Sequence, residues 1–382
     1  MGAATATPVS TARPRLSGSD AVRAAAMIGV ICIHASAWGP SSPYAGVGLV
    51  SRFSVPAFMV LTGTLLAYQY TGRTLGVAFM RRRLGRSLIP WLSWAPVFIA
   101  FDFFVGSLKP TAPSVLSFLQ YGGGHLWFLL LIPQLYLLFL VWPRRATWTV
   151  AILAMLVQVG LCLIRLFVAL PGWQSQVMVT YGFLTFPFWI GYFGIAVAAG
   201  RTLAAGGGRI PVLQGHARTA AVVAGAVLIA ATGWLLLNLH YHDSAPSWVL
   251  TGTNAFLNPV LPLFVFSIVI WFFVFAPAAM AAAGWLRWIV DTLSEQSLGL
   301  YIVHPVLLFF VGRVLYGMIN STTGALSVLG FAIFVIATLV ATSIAVRLLM
   351  TTPLAVTIGT PRRPLRLPKL GLASSRRTAQ PG

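Results

Sequence analysis

Acidic residues are scarce in this chain. Asp and Glu number 5 against 25 Lys and Arg, and all charged residues together make up 8% of the 382 residues. Soluble domains carry about 25% charged residues, so a chain that is 58% hydrophobic does not fit that class. The sequence instead predicts an all-α polytopic membrane protein, because helices satisfy their own backbone hydrogen bonds inside a bilayer.

Cysteine is scarce too, which argues against a disulfide framework. Cys32 and Cys162 both lie inside apolar runs, where cysteine acts as a small packing residue. The sequence also lacks a glycine-rich phosphate loop, a nucleophile elbow and a zinc protease signature. His240 and His242 have the spacing of a metal-binding pair, but no third ligand stands near them. We therefore expect no metal ion and no permanently bound cofactor.

Long apolar segments, in contrast, are abundant. About ten of them have the ~20 residues that cross a bilayer as a helix. They lie near residues 20–39, 48–70, 87–106, 125–142, 147–169, 180–200, 219–238, 256–276, 297–319 and 326–349. Residues 277–296, which contain two tryptophans, predict an additional interfacial helix. The expected organisation is a cytoplasmic tail at 1–19, a transmembrane domain at 20–349 and a basic cytoplasmic tail at 350–382.

The cations are distributed unequally between alternate loops. With the N-terminus in the cytoplasm, the inner side receives the arginines of 81–86 and the tail at 362–377, whereas the outer side receives little more than Arg52, Lys109 and Arg165. This asymmetry predicts that both termini are cytoplasmic. Nucleic-acid binding is another interpretation of a net charge of +20, but topology already accounts for the charge. We therefore expect the lipid bilayer, and no nucleic acid, as a partner.

The first apolar segment, residues 20–38, contains two ionisable side chains, Arg23 and His34. Eleven residues at about 100° each return to within about 20° of the same helical face, about 16 Å further along the axis. An ionisable group inside an apolar span costs free energy, so it indicates function. The alternative is a signal peptide cleaved near residues 35–37, which would remove His34 from the mature chain.

A cluster of arginines precedes the third segment, in residues 79–91. Arg82 and Arg86 share a helical face, with Arg83 beside them. Planar guanidinium groups bind phosphate in a bidentate manner, so these three arginines are candidates for holding a phosphorylated donor. Arg23 would add a cation to the same inner pocket. The alternative interpretation is ordinary topology and contact with lipid headgroups.

Two further titratable residues are predicted at the depth of His34 near the outer side. Asp102 lies close to the outer end of the third segment, and His125 begins the fourth. A carboxylate beside a histidine can fix its tautomer and raise its basicity, as in general-base activation of a hydroxyl. The candidate catalytic residues are therefore His34, Arg23, Asp102 and His125. The alternative for each is a hydrogen-bonded group that holds helices together.

The ninth segment carries a polar stripe. Ser297, Tyr301 and His304 fall on one helical face, and Pro305 follows directly. Such a stripe is typical of helices that line a cavity, although hydrogen bonding between helices explains it equally well.

Four motifs in this order resemble the acyltransferase-3 family of integral membrane O-acyltransferases. They are the Arg-x10-His of VRAAAMIGVICIH at 22–34, SVPAFMVLTGTLLAY at 54–68 with its Thr62-Gly63 pair, FMRRRLGRSLIPWL at 79–92 followed by HLWFL at 125–129, and SLGLYIVHP at 297–305. Each motif is loose, but their order and spacing extend over most of the chain.

The resemblance implies a fold of roughly ten helices and a transferase of the bacterial plasma membrane. The enzyme would move an acyl group, usually acetyl, from cytoplasmic acyl-CoA to a hydroxyl of a cell-surface glycan, a glycolipid or a related sugar-containing acceptor. Arg23 and His34 match the essential pair of the family, and Arg82, Arg83 and Arg86 lie in its donor-binding cluster. Some members carry a fused soluble outer domain, and we expect none in this protein.

Two alternatives to a glycan acyltransferase stay open. A transporter or exporter of polysaccharides or small molecules would suit about ten spans and polar stripes equally well. Within the acyltransferases, a subset acylates macrolide-type antibiotics. The oligomeric state is not determined by these patterns.

Overall fold

The computed structural model describes residues 13–38, 44–145, 147–167, 172–208, 215–241, 256–319 and 326–362, which contain no strand. The helices are α1 Ser17–Ser36, α2 Ala45–Val50, α3 Ser54–Tyr70, α4 Val77–Phe104, α5 Ala112–Gln120, α6 Phe128–Val141, α7 Thr147–Phe167, α8 Gly172–Tyr181, α9 Ile190–Ala205, α10 Gly215–Tyr241, α11 Leu261–Ala282, α12 Gly284–Ile319 and α13 Val328–Thr351. Short 3-10 helices lie at Ser51–Phe53, Gly124–Trp127, Gly182–Leu184, Phe186–Phe188 and Pro353–Ile358.

The described helices confirm an all-α polytopic membrane fold. Nine helical stretches among the described residues are long and apolar enough to cross a bilayer, and α9 is a shorter apolar helix. These ten elements correspond to the ten predicted segments. The side on which each end lies rests on the asymmetry of the cations, and we use "inner end" for the end of α1 that carries Arg23.

The sixth predicted span begins later than expected. The sequence predicts a helix near 180–200, whereas α9 begins at Ile190 and runs to Ala205. Two 3-10 turns precede it, and the second of them contains Pro187. The Gln134 side chain satisfies the backbone at this break, because its Nε2 donates to the Leu184 carbonyl (2.8 Å) and its Oε1 accepts from the amide of Phe186 (3.1 Å).

The predicted separate interfacial helix at 277–296 is wrong. α11 continues to Ala282, and the following residues form the beginning of α12, a single helix of 36 residues. Trp285 and Trp288 are exposed on its first turns, as is typical of tryptophan at a membrane–water interface. Pro305 lies inside α12 without ending it.

Helix α1 lies in the interior of the bundle, packed against α3, α11, α12 and α13. Glycines allow this close approach. A Cβ added at Gly18 would lie 2.2 Å from the carbonyl oxygen of Phe273, and one at Gly29 would lie 2.0 Å from the hydroxyl of Ser54. Small residues at helix contacts are typical of membrane bundles. The polar side chains of α1 therefore face protein.

Candidate active site

Three histidines from three different parts of the chain meet in the interior. His34 lies near the end of α1, His125 in the 3-10 turn before α6, and His304 in the middle of α12. The ring centroids of His34 and His304 are 5.0 Å apart, those of His125 and His304 5.6 Å, and those of His34 and His125 6.4 Å. We call these three residues the histidine cluster.

A run of glycines positions His125. Gly122, Gly123 and Gly124 all have positive φ angles (87°, 78° and 64°), a left-handed backbone that glycine adopts without strain. Helix α12 then holds the turn, because the Tyr301 hydroxyl donates to the carbonyl of His125. In addition, Nε2 of His125 lies 3.2 Å from the carbonyl oxygen of Ile302.

At the inner end of α1, Arg23 is held by two partners. Its Nη1 lies 2.9 Å from Oγ of Ser294 and 3.3 Å from Oδ1 of Asp20. The Ser294 hydroxyl donates to the same Oδ1 at 2.6 Å, and Nε of Arg15 lies 2.8 Å from Oδ2. The Asp20 side chain is 4% exposed. The hydrogen bond to Asp20 raises the pKa of Arg15.

Arg23 opens onto a cleft of about 420 Å³, which we call the arginine cleft. Arg23, Arg83 and Arg86 are its cationic residues, and most of the other lining residues are apolar. Arg83 is fixed by the Tyr70 hydroxyl, 3.2 Å from its Nη2, and lies close to the ring of Tyr136. Such a cleft combines anion-binding groups with an apolar wall.

Two aromatic rings in succession connect the arginine cleft with the histidine cluster. Phe128 lines the cleft, and its ring centroid is 5.8 Å from that of Tyr301. The Tyr301 ring in turn is 5.7 Å from His125 and 6.3 Å from His304. These ring contacts therefore connect the arginine cleft to the histidine cluster.

Comparison with known families decides what kind of protein carries this site. A family model described as an acyltransferase domain, that of acyltransferase 3, matches residues 16–347. This chain belongs to the acyltransferase-3 family. The match confirms the resemblance drawn from the four sequence motifs and identifies a membrane acyltransferase. No curated protein and no solved structure matches the chain.

The acyltransferase does not bring Asp102 to the histidines. Its Oδ1 accepts from the Ser107 hydroxyl at 3.0 Å, near the end of α4, and no described contact joins it to His34 or His125. The position of a residue along a span predicts its depth in the bilayer. It does not predict the direction in which the side chain points around the helix axis. The prediction that Asp102 orients His34 therefore has no support from the geometry.

The predicted donor cluster divides into two groups. Arg83 and Arg86 line the arginine cleft, whereas Arg82 does not. The Arg82 side chain is exposed, and its Nε donates to the carbonyl of Ala78 at 3.2 Å. Adjacent residues of a helix point about 100° apart, so Arg82 and Arg83 cannot both face the cleft. The position of Arg82 does not support the predicted contact with the donor.

The three residues of the predicted cavity-lining stripe have different surroundings. None of Ser297, Tyr301 and His304 is among the lining residues of the arginine cleft. Tyr301 and His304 belong instead to the packing of the histidine cluster, and Ser297 is half-buried on the same helix. No group of three or more His, Cys, Asp or Glu side chains in the described part of the chain has the geometry of a metal site.

Arg52 is a residue that the sequence analysis did not select for the site. Its guanidinium lies 4.8 Å from the ring centroid of Phe256, and its charge is close enough to act on His34. The signal was available, because Arg52 is the one charged residue in the apolar stretch 45–70. The rule that singles out Arg23 and His34 applies to it equally.

Replacing Asp20 tests whether its carboxylate holds the Arg23 side chain in place. We expect Asp20→Asn to lower the unfolding free energy by about 1.5–3 kcal/mol, the usual contribution of hydrogen bonds to charged groups. Thermal unfolding of the purified protein measures the effect. Asp291→Asn is the matched control, because Asp291 also pairs with Arg15 (3.7 Å) but is 47% exposed. Equal effects of the two substitutions would contradict a specific role of Asp20.

Proposed function

We propose that this membrane acyltransferase moves an acyl group, acetyl in the first instance, from cytoplasmic acyl-CoA to a hydroxyl of a sugar-containing acceptor at the outer side of the bacterial plasma membrane. One observation carries the proposal. Helix α1 contributes Arg23 to the arginine cleft at its inner end and His34 to the histidine cluster near its other end.

The chemistry of the arginine cleft favours a phosphorylated donor. Guanidinium groups bind phosphate oxygens in a fork geometry, and Arg23, Arg83 and Arg86 converge on one apolar-walled space. A second cleft of about 390 Å³ adjoins it at Tyr70 and is lined by further arginines, which are Arg73, Arg144 and Arg201. Acyl-CoA is an extended molecule with phosphates at separate points, so two neighbouring cationic clefts suit it.

The histidine cluster suits the transfer step. In the proposed reaction, His34 takes the proton of the acceptor hydroxyl as the hydroxyl oxygen attacks the thioester carbonyl. The tetrahedral oxyanion then collapses, the carbon–sulfur bond breaks, and the CoA thiolate recovers the proton from His34. Arg52 supplies a positive charge near the developing oxyanion.

The test is to compare cells with and without the gene. Mass spectrometry of surface glycans, glycolipids and secreted metabolites should find products that carry an additional acyl mass only when the gene is present. An acylated macrolide among the secreted products would place the enzyme with the antibiotic-tailoring members. If deletion produced no acyl difference and an unmodified solute accumulated on one side of the membrane, a transporter would replace the acyltransferase.

A further inference from the structure

The imidazole of His304 has a buried nitrogen without a partner. The His304 side chain is completely buried, and its Nε2 has no hydrogen-bond partner among the described residues. A buried polar atom left without a hydrogen bond costs about 1–3 kcal/mol. Such an atom in a native structure calls for a functional explanation.

Hydrogen bonds to the backbone determine the tautomer of His304. Nδ1 lies 2.8 Å from the carbonyl oxygen of Tyr301 and 3.0 Å from that of Leu300. A carbonyl oxygen can only accept, so Nδ1 must carry the proton. Nε2 of the neutral ring is then a lone pair that can only accept a hydrogen bond. Helix α12 thus holds the ring with a fixed acceptor at Nε2.

His34 is the candidate donor for this acceptor. The His34 ring is the closer of the two neighbouring imidazoles, at 5.0 Å between centroids. Two imidazoles joined by an N–H···N bond show a similar separation, because each ring adds about 1 Å to a donor–acceptor distance of about 2.9 Å. The rings are inclined at 53°, and Nε2 of His304 makes no hydrogen bond to a described residue in this arrangement. The His34 ring must therefore turn about its side-chain bonds to form one.

The other groups near this pair do not donate a hydrogen bond to Nε2 of His304. His125 has Nε2 against the Ile302 carbonyl, so its proton is on that nitrogen and its Nδ1 also accepts. The Tyr301 hydroxyl donates its hydrogen bond to the carbonyl of His125. Arg52 contributes a positive charge that acts on His34, and the Asp102 carboxylate is paired with Ser107.

We infer that His304 is a positioning residue, which accepts the N–H of His34 at Nε2 and so holds the opposite nitrogen of His34 free to take the proton of the acceptor hydroxyl. His304 thereby takes the role that the sequence assigned to Asp102. A neutral imidazole suits the membrane interior better than a carboxylate, since burying an ion costs far more than burying a neutral polar group. This inference rests on the proposed acyl transfer at His34.

Two substitutions separate hydrogen bonding from packing. Gln can place an amide oxygen near the position of Nε2, whereas Leu fills similar space without an acceptor. We expect His304→Leu to lower kcat roughly 10- to 100-fold, the range for partners that orient a functional histidine, with KM for acetyl-CoA unchanged. His304→Gln should restore most of the lost rate. The assay is transfer of radiolabelled acetyl from acetyl-CoA in membrane vesicles that contain the native acceptor.

Nitrogen NMR of the wild-type protein provides a second measurement. With ¹⁵N-histidine labelling, His304 should have its proton on Nδ1, and its signals are identified by their loss in His304→Gln. A proton on Nε2 instead would overturn the inference, and this result does not depend on whether the Leu variant folds. Equal loss of kcat in the Leu and Gln variants at unchanged unfolding temperature would also overturn it, because packing alone would then explain both.

The outcomes distinguish this inference from the proposed function. If His34→Ala abolishes transfer but His304→Leu has the wild-type kcat, the inference fails and the proposed function stands. If His34→Ala transfers acetyl at the normal rate, the role of His34 as general base fails, and the role assigned to His304 fails with it. If the wild-type protein transfers no acyl group, the proposed function itself fails.

Discussion

His34→Ala is expected to reduce acyl transfer by about 10²- to 10⁴-fold, the usual contribution of a general base. The imidazole of His34 is the only one of the three that is not held by a described hydrogen bond to a backbone carbonyl. No described backbone carbonyl therefore fixes the orientation of the His34 ring, which suits the proposed exchange of a proton with the substrate. The rate is measured as transfer of radiolabelled acetyl from acetyl-CoA to the native acceptor in membrane vesicles.

Donor binding should be almost unchanged in His34→Ala. The arginine cleft does not include His34, so the dissociation constant for acetyl-CoA should equal that of the wild type while kcat falls. His216→Ala is the matched control, because His216 lies exposed at the beginning of α10 and its loss should alter neither quantity. A variant with normal membrane level and normal kcat would remove His34 from the mechanism.

Arg83→Gln is expected to weaken binding of acetyl-CoA about 10- to 100-fold. A hydrogen bond between charged groups contributes about 1.5–3 kcal/mol, and Arg83 faces the arginine cleft from α4, braced by Tyr70. Because phosphate contacts are electrostatic, the difference between wild type and variant should shrink as salt rises. Binding of radiolabelled acetyl-CoA to purified protein in lipid nanodiscs measures both effects.

Arg82→Gln is the control for this substitution. It removes the same charge from the adjacent position of the same helix, but the Arg82 side chain is exposed and folds back on Ala78. We expect its affinity for acetyl-CoA to remain within about twofold of the wild type, as for a solvent-exposed charge. If the two variants lost affinity equally, the arginines would act only through their summed charge. That result would favour the alternative interpretation, in which the cluster serves topology and contact with lipid headgroups.

The sequence by itself determined the properties that depend on one segment at a time. Long apolar stretches predicted the all-α membrane fold, since each span needs about 20 apolar residues wherever its neighbours lie. The spacing of Arg23 and His34 placed them on one helix, because the helical period is a local property. The four motifs likewise predicted the family, which the match over residues 16–347 confirmed.

Only the tertiary structure decided which side chains meet. His304 was predicted to line a cavity and proved to be 5.0 Å from His34, whereas Asp102, predicted beside His34, is paired with Ser107. Composition and period fix the depth of a residue in the bilayer, but the rotation of one helix against another depends on packing. In this protein small residues such as Gly18 and Gly29 set that packing by letting neighbouring helices approach α1. Contacts between distant segments are therefore not encoded in any one of them.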